Sequence, residues 1–167
     1  MLYISPSTQE KNLYPDRSSE EFNMNRLTDD IIKLIRPISV FRNDPKKDAL
    51  TAIREANQKR AKLHLALHTN AGGGSGVEVF YDPTKPRSKA FAERLAASVS
   101  KVLGIPNRGA KDGRHLLEIR AARKDMDAVL AELFFHDNPA DVAKFRANYS
   151  KLVNEQAWQI KVYFGVK

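Results

Sequence analysis

Two side chains in this sequence pair reactive chemistry with an unusual setting. His68 ends the run Leu63-His64-Leu65-Ala66-Leu67-His68 and leads straight into Thr69-Asn70-Ala71-Gly72-Gly73-Gly74. Strand alternation puts Leu63, Leu65 and Leu67 on one face and His64, Ala66 and His68 on the other. A histidine at the carboxyl end of an α/β strand stands where such sheets bind ligands, and imidazole can hold a metal or carry a proton. Glu132 lies inside Val129-Leu130-Ala131-Glu132-Leu133-Phe134-Phe135. A carboxylate there must be paired, protonated or at the sheet rim, because burying the lone charge is too costly. One reading is a core ion pair. The other is a general base whose pKa is raised by apolar neighbours beside a metal.

The sequence has no cysteine, which excludes a disulfide framework and thiolate-bound zinc. Any metal site must come from histidine, carboxylate or neutral oxygen, and only His64, His68, His115 and His136 are available. Glu21, at the start of a helical stretch, is the candidate carboxylate ligand. Its structural alternative is a capping box with Ser18, three residues before it. Glu21 and His68 as ligands with Glu132 as base suggest a zinc hydrolase, but zinc needs a third protein ligand and spacing does not supply one.

The elements that must position these residues follow from periodicity. Residues 2–5 read as a strand, and a polar stretch from Pro6 to Ser19 follows. A helix is expected from Glu20 to Arg36, with Phe22, Leu27, Ile31, Leu34 and Ile35 inward and Pro37 closing it. Ile38 to Arg42 reads as a strand, and Asp44-Pro45 as the start of a second helix. The His68 strand comes next, then a Val77 to Tyr81 strand expected to form a hairpin-like pair with it around the glycine loop. A helix from Ser88 to Leu103 ends at Gly104. Asn107 to Lys111 reads as a basic loop, Leu116 to Ile119 as a short strand, and Ala128 to Phe135 as a strand. Asn138-Pro139 starts a helix, and an amphipathic helix spans Tyr149 to Phe164. The alternation predicts an α/β fold: a single domain, 1–167, with a mainly parallel or mixed sheet of about six strands flanked by helices on both faces.

The sequence of 167 residues carries a formal charge of +8, which favours a polyanionic partner. No apolar run approaches the ~20 residues of a membrane span, and no basic, apolar leader opens the sequence. Lysines and arginines do not gather on one helix face with interleaved aromatics, so a nucleic-acid partner is not expected.

Four ordered segments resemble the zinc-dependent N-acetylmuramoyl-L-alanine amidases, the cell-wall amidases of bacterial autolysins and phage endolysins. Leu67-His68-Thr69-Asn70-Ala71 followed by Gly76-Val77-Glu78-Val79-Phe80-Tyr81 looks like the family's second zinc-ligand segment. Ala128 to Asn138 looks like its catalytic-glutamate strand, and Glu20-Glu21-Phe22-Asn23-Met24-Asn25 like its first helix. Asn107-Arg108-Gly109-Ala110-Lys111 fits clostridial-type endolysin members. The resemblance implies a Zn2+ enzyme with Glu21 and His68 as ligands and Glu132 as base. Its substrate would be the peptidoglycan amide between N-acetylmuramic acid and L-alanine, contacted by Asn70 and Arg108. Anionic wall polymers would suit the positive charge, and a monomer is expected.

The resemblance breaks at one point. Where the family carries its first zinc histidine, this sequence reads Ile4-Ser5-Pro6-Ser7-Thr8-Gln9-Glu10, a start that resembles a sub-group of the family. Gln9 is the positional equivalent, and an amide oxygen is a poor zinc ligand. His136 is the alternative third ligand. His64 lies roughly 13 Å deeper along the strand than His68 and cannot share its metal. His115 reads as solvent-facing or a substrate contact, and Glu78 as support for the sheet rim. The competing function is a catalytically impaired wall-binding module of the same fold. Either would act at the cell wall, reached by lysis or as a trimmed secreted protein.

Overall fold

The computed structural model describes residues 1–166. In chain order the elements are β1 (Leu2–Pro6), α1 (Glu20–Leu34), β2 (Val40–Arg42), α2 (Ala49–Gln58), β3 (Leu63–Asn70), β4 (Val77–Tyr81), α3 (Pro86–Leu103), β5 (Asn107–Asp112), α4 (Leu117–Arg120), β6 (Asp127–Phe135), α5 (Pro139–Ala147) and α6 (Tyr149–Phe164). The strands form one six-stranded sheet in the order β2-β1-β3-β6-β4-β5. Every pair is parallel except β4 with β6. The sheet is therefore mixed, as expected, but not through a β3–β4 hairpin. Strand β6 inserts between them, and the glycine loop spans that gap.

Strand alternation splits the core in two. Leu63, Leu65, Leu67, Val129, Ala131 and Leu133 face the larger core, with Met24, Leu27 and Ile31 of α1, Phe91 and Leu95 of α3 and Ile160 of α6. On the other face Ala66, Ala128 and Leu130 meet Ile119 of α4, while Tyr3 meets Ala52, Ile53 and Ala56 of α2.

Several expected boundaries move, each for a local reason. Helix α1 is capped by Ser19, whose side chain accepts from the Phe22 N–H, so the Ser18–Glu21 box does not form. Ser18 instead bonds Asp16, Asn23 and Arg146. With that start, Glu20, Asn23, Met24, Leu27 and Ile31 line the buried stripe. Phe22 is 59% exposed and Leu34 is also exposed, not inward. Helix α2 begins at Ala49, because Asp48 caps the Thr51 N–H. The Asn107–Lys111 loop is an edge strand, paired in parallel with β4; pairing overrides a composition poor in strand formers. Leu116–Ile119 is not a strand, since one helical turn suffices to bury Ile119. Asn138 caps α5 through the Ala140 and Asp141 N–H groups, as read from the sequence.

Glycine 76 is needed twice over: its φ is +112°, and a Cβ there would stand 2.5 Å from the Pro106 carbonyl oxygen. Gly104, at φ +65° after α3, has open space around it. Strain alone makes Gly104→Ala cost about 1 kcal/mol, whereas strain plus a backbone clash makes Gly76→Ala cost about 2 kcal/mol or more. Urea unfolding of both variants checks the ordering.

His64 carries a pH dependence. It is fully buried, with Nε2 2.8 Å from Ser5 Oγ, and burial pushes its pKa down to about 4. Unfolded, it titrates near about 6.5. Between these values the unfolded chain binds a proton that the folded chain refuses, so stability falls as pH drops through the window. A loss of about 2 kcal/mol from pH 7 to pH 5 is expected from this group. His64→Gln should lack that share in chelator-treated protein, and identical losses in both proteins would refute the assignment.

Candidate active site

Strand register builds the site before any side chain is considered. His68 of β3 pairs with Glu132 of β6, and Glu132 pairs in turn with Glu78 of β4. Registered partners share a face, so the three side chains form a row at the end of the sheet. The row lies on the face of Ala66, Ala128 and Leu130.

Helix α1 brings a fourth residue from its first turn. Glu20 is fully buried, with Oε1 3.2 Å from His68 Nδ1. The same oxygen accepts from the Thr69 N–H at 3.1 Å, and Oε2 accepts from Asn12 Nδ2 at 2.7 Å. Burial pushes the Glu20 carboxyl upward, but the bonds from His68, Asn12 and Ser7 outweigh it and hold it below the usual range. Burial conversely opposes the charged form of His68. Its bond to Glu20 and the fields of Glu132 and Glu118 prevail and raise it. Glu118 of α4 is buried, with Oε1 4.0 Å from His68 Nε2. Glu132 has no such relief. Its Oε2 is buried without a hydrogen-bond partner, and its pKa rises to about 7, chiefly from burial, with Glu20, Glu78 and Glu118 adding to it against His68.

The loops are tied to this row. Asp137 accepts from the Gly72 and Gly73 N–H groups, and Asp141 from Gly76 N–H and Ser75 Oγ. The first turn of α5 thereby holds the glycine loop in place.

The expected site residues divide. His68, Glu132 and Gln9 come together, with Gln9 Nε2 3.4 Å from His68 Nδ1. Glu21 does not join them. It lies on the outer side of α1, in a groove with Thr8, Glu10 and Pro45, and Glu20 takes the place beside His68. Asn70 and Arg108 meet on Glu78: Asn70 Nδ2 donates to Oε1 at 2.7 Å, and Arg108 Nε to Oε2 at 2.8 Å. Glu78 thus supports the rim, with Lys111 as a further partner. His136 is buried, stacked on Tyr14 with Nδ1 3.2 Å from Thr69 Oγ1. His115 is exposed, its ring edge toward Phe80.

Sequence reading missed Glu20 and Glu118. Counting back from Ile31, Leu27 and Met24 in steps of three and four reaches Glu20, so its signal was present. Glu118 gave none, because its position depends on a single turn of helix seen only in the fold.

A metal can be tested against these atoms. His68 Nδ1 faces both a carboxylate oxygen and an amide nitrogen, and one ring nitrogen cannot donate to the first while accepting from the second. Turning the Gln9 amide to present its oxygen instead gives up the bond that this oxygen accepts from Asn12 Nδ2 at 2.9 Å. Ligands of a tetrahedral zinc stand about 3.3 Å apart, close to the 3.2 and 3.4 Å separations around Nδ1. Glu20 and His68 fit adjacent corners, and Gln9 joins them as a weaker third only by releasing Asn12. Among the described residues no three His, Cys, Asp or Glu side chains converge as a metal site, so an all-strong ligand set is not available. No described helix is long and apolar enough to cross a membrane.

Comparison with known proteins follows the same outline. Residues 20–161 match the profile of the N-acetylmuramoyl-L-alanine amidase family. The amidase CwlM of Bacillus licheniformis is 32% identical over 95 residues, 56% of this chain and 36% of its own length. The chain spans about a third of the length of the curated relatives it matches. Among solved structures, the amidase AmiC2 of Nostoc punctiforme superposes with a TM-score of 0.84 at 16% identity, covering 98% of this chain and 96% of its own. The catalytic domain of CwlV, an amidase from Bacillus (Paenibacillus) polymyxa var. colistinus, gives 0.79 at 22% identity, covering 99% and 98%. These likenesses establish the fold, and the profile match over most of the sequence establishes that the chain belongs to the N-acetylmuramoyl-L-alanine amidase family.

Proposed function

We propose that residues 1–167 form the catalytic domain of a peptidoglycan hydrolase acting at the cell wall. It cleaves the amide between the lactyl group of N-acetylmuramic acid and L-alanine, with zinc as cofactor. The observation that carries this reading is Glu132: a largely buried carboxyl whose Oε2 is enclosed without a hydrogen-bond partner, beside His68 in register and with its pKa raised to about 7. A structural ion pair would give this carboxyl a cationic partner among the described residues, whereas a general base needs an oxygen free to take a proton.

Glu20 and His68 would hold the zinc, with Gln9 as the weak third ligand. When bound, zinc supplies a Lewis acid that polarises the carbonyl and makes water more acidic. Glu132 takes a proton from the attacking water and returns it to the departing amine nitrogen. Glu118, near the far nitrogen of His68, steadies the ring and its charge. Asn70 and Arg108, fixed on Glu78 one strand away, contact the substrate. The net charge of +8 favours an anionic wall.

Zinc content, measured side by side in variants, tests the ligand set. About one zinc per chain is expected in wild type and Glu21→Gln, with loss in Glu20→Gln and His68→Ala. Gln9→His should retain zinc against a chelator that strips the wild type, because imidazole replaces an amide. Wild type that takes up no added zinc would instead support the wall-binding module.

Catalysis is tested separately. Glu132→Gln should lower kcat/KM on muramyl peptides by a factor on the order of 10²–10⁴ at unchanged zinc content. A variant with near wild-type rates would remove Glu132 from the chemistry.

A further inference from the structure

On the far side of Glu132 from Glu20, two cations share one buried anion. Arg108 Nε lies 2.8 Å from Glu78 Oε2, and Lys111 Nζ bonds the same oxygen. The other oxygen, Oε1, is taken by Asn70. Glu78 is therefore saturated and fixed, while its partners are not. Each cationic side chain is 39% exposed. The Arg108 guanidinium lies 5.1 Å from the centroid of the Phe135 ring. Its two terminal nitrogens make no hydrogen bond to the described residues, and Lys111 uses one of its three donors. Two positive charges against one negative leave a net cation with free, pre-positioned donors. It stands one strand from the proposed base, because Glu78 and Glu132 are register partners.

Fixing the pair on Glu78 serves binding in a way a surface lysine does not. Side-chain entropy is already spent in the free protein, so an incoming anion need not order these chains. Arginine with a free edge is suited to a carboxylate.

The opposite side of the site is different in kind. Thr8 lines both the small cavity beside His68 and Glu118 and a groove of about 350 Å³, which also contains Glu21 and Pro45. Those two residues in turn border a groove of about 820 Å³ along α1, past Phe22 and Arg26. These grooves carry no single charge sign and present the exposed Phe22, on which a neutral sugar ring can stack. The exposed cationic edge at Arg108 and Lys111 suits the other arm of a glycan–peptide junction.

We propose that Arg108 and Lys111, held by Glu78, form a subsite for a carboxylate on the peptide stem, and so select stems by the charge of their second residue. A D-glutamate joined through its side-chain carboxyl leaves a free α-carboxylate two residues from the scissile amide, and amidation to D-isoglutamine removes that charge. The subsite deepens the amidase reading of the same site and rests on it.

The test compares two disaccharide tripeptides that differ only in D-isoglutamate or D-isoglutamine at the second position. Binding is measured by calorimetry on Glu132→Gln, and hydrolysis on the wild type. The acid should be preferred about tenfold or more in both readouts, less so at high salt. The preference should fall to near unity in Arg108→Gln and in Lys111→Met. Each of these leaves Glu78 one cation, and thermal midpoints verify that they fold. Lys151→Met, which removes an equal charge from α6, should keep it. Equal binding of the two compounds by the parent protein, or a preference that survives both substitutions, overturns the subsite. A preference in binding with hydrolysis of neither compound retains the subsite and removes the amidase reading.

Discussion

Everything at this site depends on the register of three strands. His68, Glu132 and Glu78 are neighbours because β3, β6 and β4 align them. A slip of one residue in β6 would turn Glu132 into the larger core and bring Ala131 or Leu133 to the row. What prevents the slip is the apolar set on the other face: Val129, Ala131 and Leu133 are fully buried. Core packing thus fixes the position of the carboxyl it also desolvates. Burial raises the Glu132 pKa, and burial is supplied by the residues that set the register.

The charges near His68 are unequal by design of the fold. Four glutamates approach from four elements: Glu20 from α1, Glu78 from β4, Glu118 from α4 and Glu132 from β6. Buried carboxylates need partners, and three of them have one. Glu20 has Asn12, Thr69 and His68; Glu78 has Asn70, Arg108 and Lys111; Glu118 lies within 4.0 Å of His68. Glu132 is left with a buried oxygen that has no partner. Their partners hold Glu20 and Glu78 below the usual carboxylate range, and the charges around Glu132 help raise its own pKa.

The loops that frame the row are held by polar contacts of long sequence separation. Asp137 and Asp141 follow β6, yet they satisfy backbone donors of the glycine loop after β3. Such loops would otherwise expose a run of unpaired N–H groups. Glycine is needed at position 76 for a separate reason: φ is +112° and the Pro106 backbone leaves no room for a Cβ.

The sequence by itself determined the class of fold, the strand carrying His68 and the strand carrying Glu132, because period-two alternation is a local property. It also determined α3, with Gly104 at its end, and the Asn138 cap of α5. It pointed to Glu21 through the likeness of the segment that follows, whereas the buried stripe of Ile31, Leu27 and Met24 carries Glu20 to the side of His68. It could not reveal β5, whose strand character comes from pairing with β4, nor the approach of Glu118 to His68. The β4–β6 pairing that sets Glu78 opposite Glu132 was likewise invisible. Which strands become neighbours is decided by how all the apolar faces are buried at once. Charges that meet across such strands are therefore a product of tertiary structure alone.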